Sequence, residues 1–513
     1  MRRACINNIG SILFFFLLCL VSTVALAGTG DLSPIDFGLY QAKNGVERYE
    51  CLYRTHCAAI EAGVNVTYKG IDSLFIEIPK GGKGIPLTDN NDFGGLVLTV
   101  RNNAKTHFVF WMIQPATDIQ VSKEVVVAGN YSGFRELSKG NVVLVLSDNT
   151  PWVYNRRGYE YGAIRKDIVC LKDGIPQNKV VTGYDTASSV PSVSYFIPSS
   201  HKKKISNITF IREPGNTMRA YLLRIENQSN VEVSNVRCET PPSDITGDMI
   251  IRVNDCANIS FKDVVIHGSY SQLKKSGYGI SMNNVYNVSF YRLVANANWG
   301  IFGNNNVNNV KLKDCDINRF DVHCYGRDVY FDRCKFRNLY NQFSSMYGTV
   351  SFRKCEFFDF TPVLFEPSYN AYTRFDLKFK NCIIHASKNK DFLINAGELT
   401  GSRTRGRSEL AVQHFPNLYI DGLKIDMAEG VDTYYLYNFR KNILIAPDVE
   451  GVKKVRRVKF ISKREGLSIK MVDTRNQQTL MSIGGIFLLG GGLTSLYAFY
   501  GRKAKAKKNT LSK

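Results

Sequence analysis

Proline is scarce, at 15 of 513 residues, and glycine, at 41, is not enriched, which excludes a collagen-like chain. Charged residues reach only 22% against 44% hydrophobic, which excludes a wholly disordered chain and supplies enough apolar side chain for a large core. Acidic residues are in deficit: 45 Asp plus Glu face 66 Lys plus Arg, a formal net charge of +21. Several chemical signatures are missing as well. There is no phosphate-binding P-loop, no dinucleotide fingerprint, no Gly-x-Ser-x-Gly and no His-Glu-x-x-His, so nucleotide, nicotinamide, serine-hydrolase and zinc-protease chemistry lose their usual support. No metal and no cofactor is expected. The length admits two to four domains or one elongated repeat, so internal periodicity decides.

Both ends read as targeting segments. Arg2 and Arg3 precede an apolar run from Ile12 to Val21, and Ala25-Leu26-Ala27 offers small residues to a signal peptidase, so residues 1–27 are expected to be a signal peptide. Leu18 argues against a lipoprotein reading of Cys19. Residues 480–500 carry no charge over a length that crosses a bilayer as a helix. Arg502, Lys503, Lys505, Lys507 and Lys508 follow, the basic cluster expected on the cytoplasmic side, with residues 501–513 as the tail. The expected topology is a single-pass protein, its body outside the cytoplasm at a bacterial envelope; a removable sorting signal is the alternative reading of the C-terminal helix. Export disfavours nucleic acid as a partner despite the positive charge.

Export also puts cysteines in an oxidising compartment. Cys51 and Cys57 flank Leu-Tyr-Arg-Thr-His and suggest a local disulfide; His56 between them raises a metal site, but two Cys and one His are too few ligands.

The middle of the chain repeats. Asn207-Ile208-Thr209-Phe210 recurs as Asn230-Val231-Glu232-Val233, Asn258-Ile259-Ser260-Phe261, Asn287-Val288-Ser289-Phe290 and Asn309-Val310-Lys311-Leu312. It continues through Asp328-Val329-Tyr330-Phe331, Thr349-Val350-Ser351-Phe352, Asp376-Leu377-Lys378-Phe379 and Asn417-Leu418-Tyr419-Ile420. A variable period with alternation inside each unit indicates coils of a parallel β-helix with insertions at the corners. Leucine-rich repeats would need Leu-x-x-Leu-x-Leu patterns, which are absent. Within each unit a further inward position follows, occupied in turn by Val236, Val264, Leu293, Cys315, Cys334, Cys355, Cys382 and Leu423. Four consecutive coils thus stack cysteine on cysteine, an internal ladder of small apolar side chains, although strands about 4.8 Å apart also allow a bridged pair. The asparagines Asn207, Asn230, Asn258, Asn287 and Asn309 are expected to form a corner ladder, because Asn tolerates left-handed backbone.

The fold class is therefore all-β, a parallel β-helix solenoid over residues 201–430, with the signal peptide and the C-terminal transmembrane helix at its ends. Residues 28–200 are β-rich, with strands around Leu74–Ile78, Leu96–Val100 and Val142–Leu146, and form either a cap or the first coils. Past Asp426 the pattern weakens. Residues 431–479, with Lys453, Lys454, Arg456, Arg457, Lys459, Lys463 and Arg464, read as a basic juxtamembrane stem, a solvated face or a grip on phosphates or uronates.

The coils from Ile208 to Leu423 resemble the right-handed parallel β-helix of the pectate-lyase-like superfamily, which includes polygalacturonases, polysaccharide lyases and phage tailspikes. The stretch from Gly277-Tyr-Gly-Ile-Ser-Met-Asn-Asn to Tyr372 also resembles uncharacterised β-helix proteins of Bacteroides-type bacteria. What the resemblance implies is architecture, because fold does not fix function; an envelope or capsular polysaccharide is expected as the partner from the exported solenoid and the groove residues around Asp321. The polygalacturonase motifs Asn-Thr-Asp, Asp-Asp, Gly-His-Gly and Arg-Ile-Lys are not matched; Asn318-Arg-Phe-Asp321 and Ile266-His267-Gly268 are the nearest fragments.

A polar constellation remains. In Arg319-Phe-Asp-Val-His-Cys-Tyr-Gly-Arg327, alternation turns Phe320, Val322 and Cys324 inward and sends Arg319, Asp321, His323 and Tyr325 to the outer face. Trp299 precedes them; Arg327, Asn341, Gln342, Tyr347, Glu366, Tyr369, Asn370 and Tyr372 follow at neighbouring heights. Aromatic faces beside amides and charges suit a saccharide groove. If it is catalytic, Asp321 and Glu366 are the acid and base of a glycoside hydrolase, with His323 or Tyr325 tuning proton transfer. In a polysaccharide lyase, Arg319 or Arg327 would neutralise a uronate while His323 takes the proton. The bland reading is a surface salt-bridged ladder in a structural or adhesive envelope protein.

Overall fold

The computed structural model describes residues 30–473, apart from 105–107, 138–139, 154–162, 182–183, 185–189, 215–219, 241–247, 269–276, 296–301, 344–345, 366–373, 388–391, 397–412, 440–442 and 446–451. The expected signal peptide and the 480–500 helix lie outside the described residues. Among those described, no helix is long and apolar enough to cross a membrane.

The repeat pattern is realised as parallel strands that pair coil upon coil. Val231 lies opposite Ile259, Ile259 opposite Val288, Val288 opposite Val310 and Val310 opposite Val329, so equivalent apolar side chains stack inside the solenoid. The ring stack of Phe331, Phe352 and Phe379 runs through this interior with centroids 4.8 and 5.0 Å apart and nearly parallel planes. Burying each such ring contributes roughly 1.5–3 kcal/mol. The cysteine ladder is present, and its thiols are free: Cys315, Cys334, Cys355 and Cys382 are buried, with Sγ directed at backbone carbonyls such as Leu312 O (3.5 Å from Cys334) and Phe352 O (3.4 Å from Cys382).

Corners are made by single left-handed residues. Asn230, Asn258, Asn287 and Asn309 all have φ between 55° and 61°, and Asn287 and Asn309 each donate from Nδ2 to the Oδ1 of the asparagine one coil before, at 2.7 and 3.1 Å. Asn207 departs from the expected ladder. Ile208 pairs with Val236 rather than Val231, and Asn235 donates to Asn207 Oδ1, so Asn207 belongs to the next corner of the coil. Both corners use Asn followed by an apolar alternation, and the motif alone does not separate them. Further along that second corner the position passes to Asp263, Arg292, Asp314 and Arg333, where charge alternates along the axis and Arg292 pairs with Asp263 and Arg333 with Asp314.

Residues 28–200 contain both a start to the solenoid and a separate layer. The helix Gly45–Ala62 opens with Asn44, whose Oδ1 accepts from Glu47 N while Glu47 accepts from Lys43 N, and it closes at Gly63 with φ 68°. It lays Leu52, His56 and Ala59 over the first coil and covers the open end of the core. The disulfide expected between Cys51 and Cys57 is absent: both are free on this helix, where a spacing of six residues sends them to different faces. His56 binds Tyr68 through Nε2 at 2.7 Å, and burial pulls its pKa down to about 3. No metal-binding group of His, Cys, Asp or Glu occurs among the described residues.

The strand Asn90–Asn102 pairs on one side with Ser73–Ile78 and on the other with Lys203–Arg212, so the chain leaves the solenoid and returns to the next coil. The excursion forms a five-stranded antiparallel sheet of Thr117–Ile119, Ser192–Phe196, Asn141–Val153, Ala163–Lys172 and Ile175–Pro176. The unbroken apolar run Val142–Leu146 is explained by burial on both faces. Val142, Leu144 and Leu146 pack with Tyr131, Phe134 and Tyr184; Val143 and Val145 pack with Ile168 and Phe196 onto Ala257 and Tyr286 of the solenoid.

The reading of 431–479 as a stem needs correction. Strands Thr433–Phe439, Val452–Phe460 and Ser468–Asp473 continue the parallel ladder, Val452–Phe460 on Asn417–Met427 and Ser468–Asp473 on Thr433–Phe439. Alternating Val455, Val458 and Phe460 pack onto the core while Arg456 and Arg457 turn out to Asp421. The basic residues hid a strand because they occupy its outward positions.

Candidate functional site

The strand Asp321–Asp332 begins at the cluster singled out above, and its first residues break the expected alternation. Asn304 pairs with Val322 but Asn305 pairs with Cys324, which leaves His323 as the extra residue of a β-bulge. The bulge reverses the phase. Val322 is inward as expected, but Cys324 turns out of the core, where it packs with Val181, Tyr325 and Tyr347. Tyr325 then takes the left-handed corner that Asn284 and Asn306 fill in preceding coils, at φ 55°.

The outward row is not an open groove. Arg319, Asp321, His323, Tyr325, Asn341 and Gln342 are all buried. Two things cover them. The antiparallel layer lies over Tyr325 and Arg327, and Arg327 Nε donates to Val181 O at 3.2 Å while Tyr347 packs alongside. Tyr278 and Tyr340 flank the rest: the Arg319 guanidinium lies 4.8 Å from the Tyr340 ring centroid, and the Tyr278 and His323 rings meet edge to face at 5.5 Å. Asn341 knits coils rather than facing a ligand, its Oδ1 accepting from Phe320 N at 2.8 Å and its Nδ2 donating to Pro362 O at 3.0 Å. Gln342 sits beside Asp321 in the ladder, and its backbone N donates to Phe320 O. Trp299, Glu366, Tyr369, Asn370 and Tyr372 lie outside the described residues, so the Asp321/Glu366 carboxylate pair has no measured separation.

What the structure does bring together is a cluster of proton-bearing groups around one imidazole nitrogen. Tyr278 Oη is 3.0 Å from His323 Nε2, and His323 Nε2 is 3.9 Å from Asp321 Oδ2, which in turn pairs with Arg319. Burial pushes the Asp321 carboxyl up to about 6; the Arg319 charge and hydrogen bond pull against that shift without cancelling it. Burial works against the Arg319 charge, and Asp321 beside it holds the guanidinium protonated. Asp321 is thus a carboxyl held above the ordinary carboxylate range, and His323 Nε2 stands between it and Tyr278, which is only partly buried.

Tyr278 and Tyr340 were invisible to the repeat spacing. The signal for Tyr278 is a glycine: Gly303, one coil on and paired with Ser281, would place a Cβ 2.5 Å from the Tyr278 ring. Only a residue without a side chain lets the tyrosine cross that coil to reach His323.

A second buried polar group lies within the antiparallel layer. Arg165 and Asp148 form an ion pair with both side chains fully enclosed, and Arg165 stacks on Tyr184 at 4.2 Å. Asp167 accepts from Val181 N at 2.6 Å and from Tyr184 Oη at 3.1 Å. Burial nevertheless pushes its carboxyl up to about 7, with Val181, Tyr184, Arg165 and Arg327 pulling it down.

No family model matches this sequence, and no curated protein matches it. Among solved structures, the tailspike protein gp49 of Pseudomonas phage LKA1 aligns over 86% of this chain and 84% of its own, with 10% identity and a TM-score of 0.36. The tailspike gp61 of Pseudomonas phage phi297 aligns over 80% of each chain, with 13% identity and a TM-score of 0.39. The surface protein and adhesin PfbA of Streptococcus pneumoniae aligns over 86% of this chain and all of its own, with 11% identity and a TM-score of 0.37. Likeness at this level carries no argument about function, and the parallel β-helix stands on the strand pairing itself.

Proposed function

We propose that this protein is an exported, membrane-tethered β-helix that binds envelope or capsular polysaccharide and performs proton transfer on it at the Tyr278–His323 relay, with the Asp321 carboxyl beside the imidazole. One observation carries the reading: His323 Nε2 lies within hydrogen-bond reach of a partly exposed tyrosine hydroxyl, with the buried Asp321 carboxyl, its pKa raised to about 6, 3.9 Å from the same nitrogen. Such a pair holds and moves a proton at Tyr278 Oη, where a glycan hydroxyl or ring proton would meet it: His323 Nε2 takes or returns the phenol proton, and the ionised Asp321 favours the imidazolium. Arg319 is engaged by Asp321, so its part is to fix that carboxylate rather than to neutralise a uronate. Residues 480–500 would be the tether, and deleting residues 480–513 would move the protein from the membrane fraction to the soluble one.

A non-catalytic adhesive or structural solenoid is the second reading, favoured by the enclosure of the Arg319–Asp321 pair and by the way Asn341 bonds the coils before and after it. Turnover of neutral and acidic polysaccharides by the full chain separates the two. Tyr278→Phe and Asp321→Asn should each lower turnover by about a hundredfold or more, the scale of lost acid–base catalysis, with glycan binding retained. A chain that binds on a glycan array but turns over none of the bound glycans is an adhesin. No binding at all would remove both the catalytic and the adhesive reading.

A further inference from the structure

The antiparallel layer covers one side of the solenoid, and the side carrying the Asn-x-x-x repeat strands stays in solvent. Strand pairing places its outward residues in two straight rows. One row runs Lys311, Tyr330, Ser351, Lys378, Tyr419, Lys454; the other runs Lys262, Tyr291, Lys313, Asp332, Arg353, Lys380, Asp421, Arg456. Neighbouring coils are about 4.8 Å apart, so the second row is roughly 34 Å long. The acids on this face are already engaged: Asp332 with Arg333 and Arg353, Asp421 with Arg456 and Arg457, and Asp376 with Lys378. Lys262, Lys311, Lys313, Lys380 and Lys454 are exposed and belong to no salt bridge among the described residues. Tyr291, Tyr330 and Tyr419 are half-exposed between them, with Lys313 5.6 Å from the Tyr291 ring and Lys378 5.4 Å from that of Tyr419.

We infer that this face, centred on Lys311, Lys313, Tyr330, Lys380, Tyr419 and Lys454, is a docking strip for a linear anionic polysaccharide running parallel to the solenoid axis. Surplus cations two to five coils apart along straight rows match a linear polymer that carries repeated negative charge, and the interleaved phenol rings match the apolar faces of sugars. A nucleic-acid duplex fits less well, because its phosphates wind around an axis whereas these rows are straight and flat. The strip rests on the reading that the partner is a polysaccharide, but not on catalysis, and it lies on a different face from Tyr278. It would hold a long chain while a segment of it reaches the relay.

The test uses the full chain with polygalacturonate as the anionic probe, dextran as the neutral one and poly(dT) as a single-stranded nucleic acid. Polygalacturonate should bind with an affinity that falls as salt rises. The triple variant Lys311→Gln/Lys380→Gln/Lys454→Gln should bind about tenfold more weakly, with a shallower salt dependence and unchanged far-UV circular dichroism, the scale expected when three exposed ion contacts of modest strength are lost. Tyr278→Phe should bind polygalacturonate as the unaltered chain does. Equal binding by the triple variant, or equal binding of dextran, overturns the strip. Tighter binding of poly(dT), weakened by the same three substitutions, overturns the polysaccharide assignment in favour of nucleic acid. If no glycan is turned over while polygalacturonate binds and the triple variant loses it, the relay falls and the strip stands.

Discussion

Asp167 holds the antiparallel layer together from within, with a carboxyl that is buried and proton-hungry, and its replacement by Asn gives a quantitative test of that packing. The folded carboxyl titrates at about 7 against 3.8 for the free group. Its pKa is raised, so the native state binds more protons than the unfolded one in the interval between, and stability must fall as pH rises. Stability from this group is complete below about pH 4 and gone above about pH 7; over the whole interval the change is about 4 kcal/mol, and between pH 5 and 7 about 2 kcal/mol. Asp167→Asn keeps Oδ1 to accept from Val181 N, sets an amide NH2 that donates to Tyr184 Oη in place of the oxygen that accepted from it, and has no proton to lose. Hydrogen exchange of backbone amides in Asn141–Val153 and Ala163–Lys172 reads the opening of this layer. Relative to the Asn variant, which cancels the intrinsic pH dependence of exchange, the unaltered chain should lose roughly thirtyfold in protection from pH 5 to pH 7. Parallel curves for the two proteins, or greater relative protection of the unaltered chain at the higher pH, would refute the argument.

Other outcomes follow from single residues. Gly303→Ala places a methyl against the Tyr278 ring and should cut polysaccharide turnover without removing any titrating group, with the effect read as a change in kcat on an intact fold. Tyr325→Phe deletes a buried hydroxyl that has no hydrogen-bond partner among the described residues, so urea unfolding should show unchanged or slightly higher stability, by at most about 1–2 kcal/mol. Cys334→Ala should cost no more than about 1–2 kcal/mol for a small cavity, whereas Cys334→Asp buries a carboxylate in the ladder and should abolish soluble expression; sensitivity of the unaltered chain to reductant would argue for a disulfide instead. Gly326→Val drives a side chain into Met346 and Val322 and should destabilise the coils on either side of the bulge, seen as a lowered Tm.

The solenoid was legible because stacking repeats one pattern at one side of each coil, and the inward positions from Val236 to Leu423 recur three residues after the last alternating hydrophobe, across a left-handed corner residue. Errors arose where alternation is interrupted. The bulge at His323 reverses the phase of Cys324, and no composition marks it. Asn207 was assigned to the wrong corner because two corners carry the same Asn-apolar signal. The run Val142–Leu146 was legible as a strand but not as part of an inserted layer, since burial on both faces erases the period that would place it. For the site, Arg319, Asp321 and His323 are gathered as the spacing suggested, but their burial depends on Tyr278, Tyr340 and Val181. These residues are distant in sequence, and only the register brings them near.

The return of the chain to the same strand edge bears on how the molecule assembles. Lys203–Arg212 docks on Asn90–Asn102 across an excursion from which both partners are absent, and that pairing closes a loop about a hundred residues long. The entropy of such a loop grows only logarithmically, so the finished structure bears the insertion at little thermodynamic cost. The kinetic consequence is larger. Coils from Lys203 onward join neighbours 19 to 41 residues apart and can propagate along the axis by themselves, while the helix-capped first coils must find the growing end across the long loop. A chain leaving the ribosome N-terminus first therefore makes its antiparallel layer before the surface that receives it exists, and the joint at Ala257, Tyr286 and Arg327 closes only once the coils through Arg327 have formed.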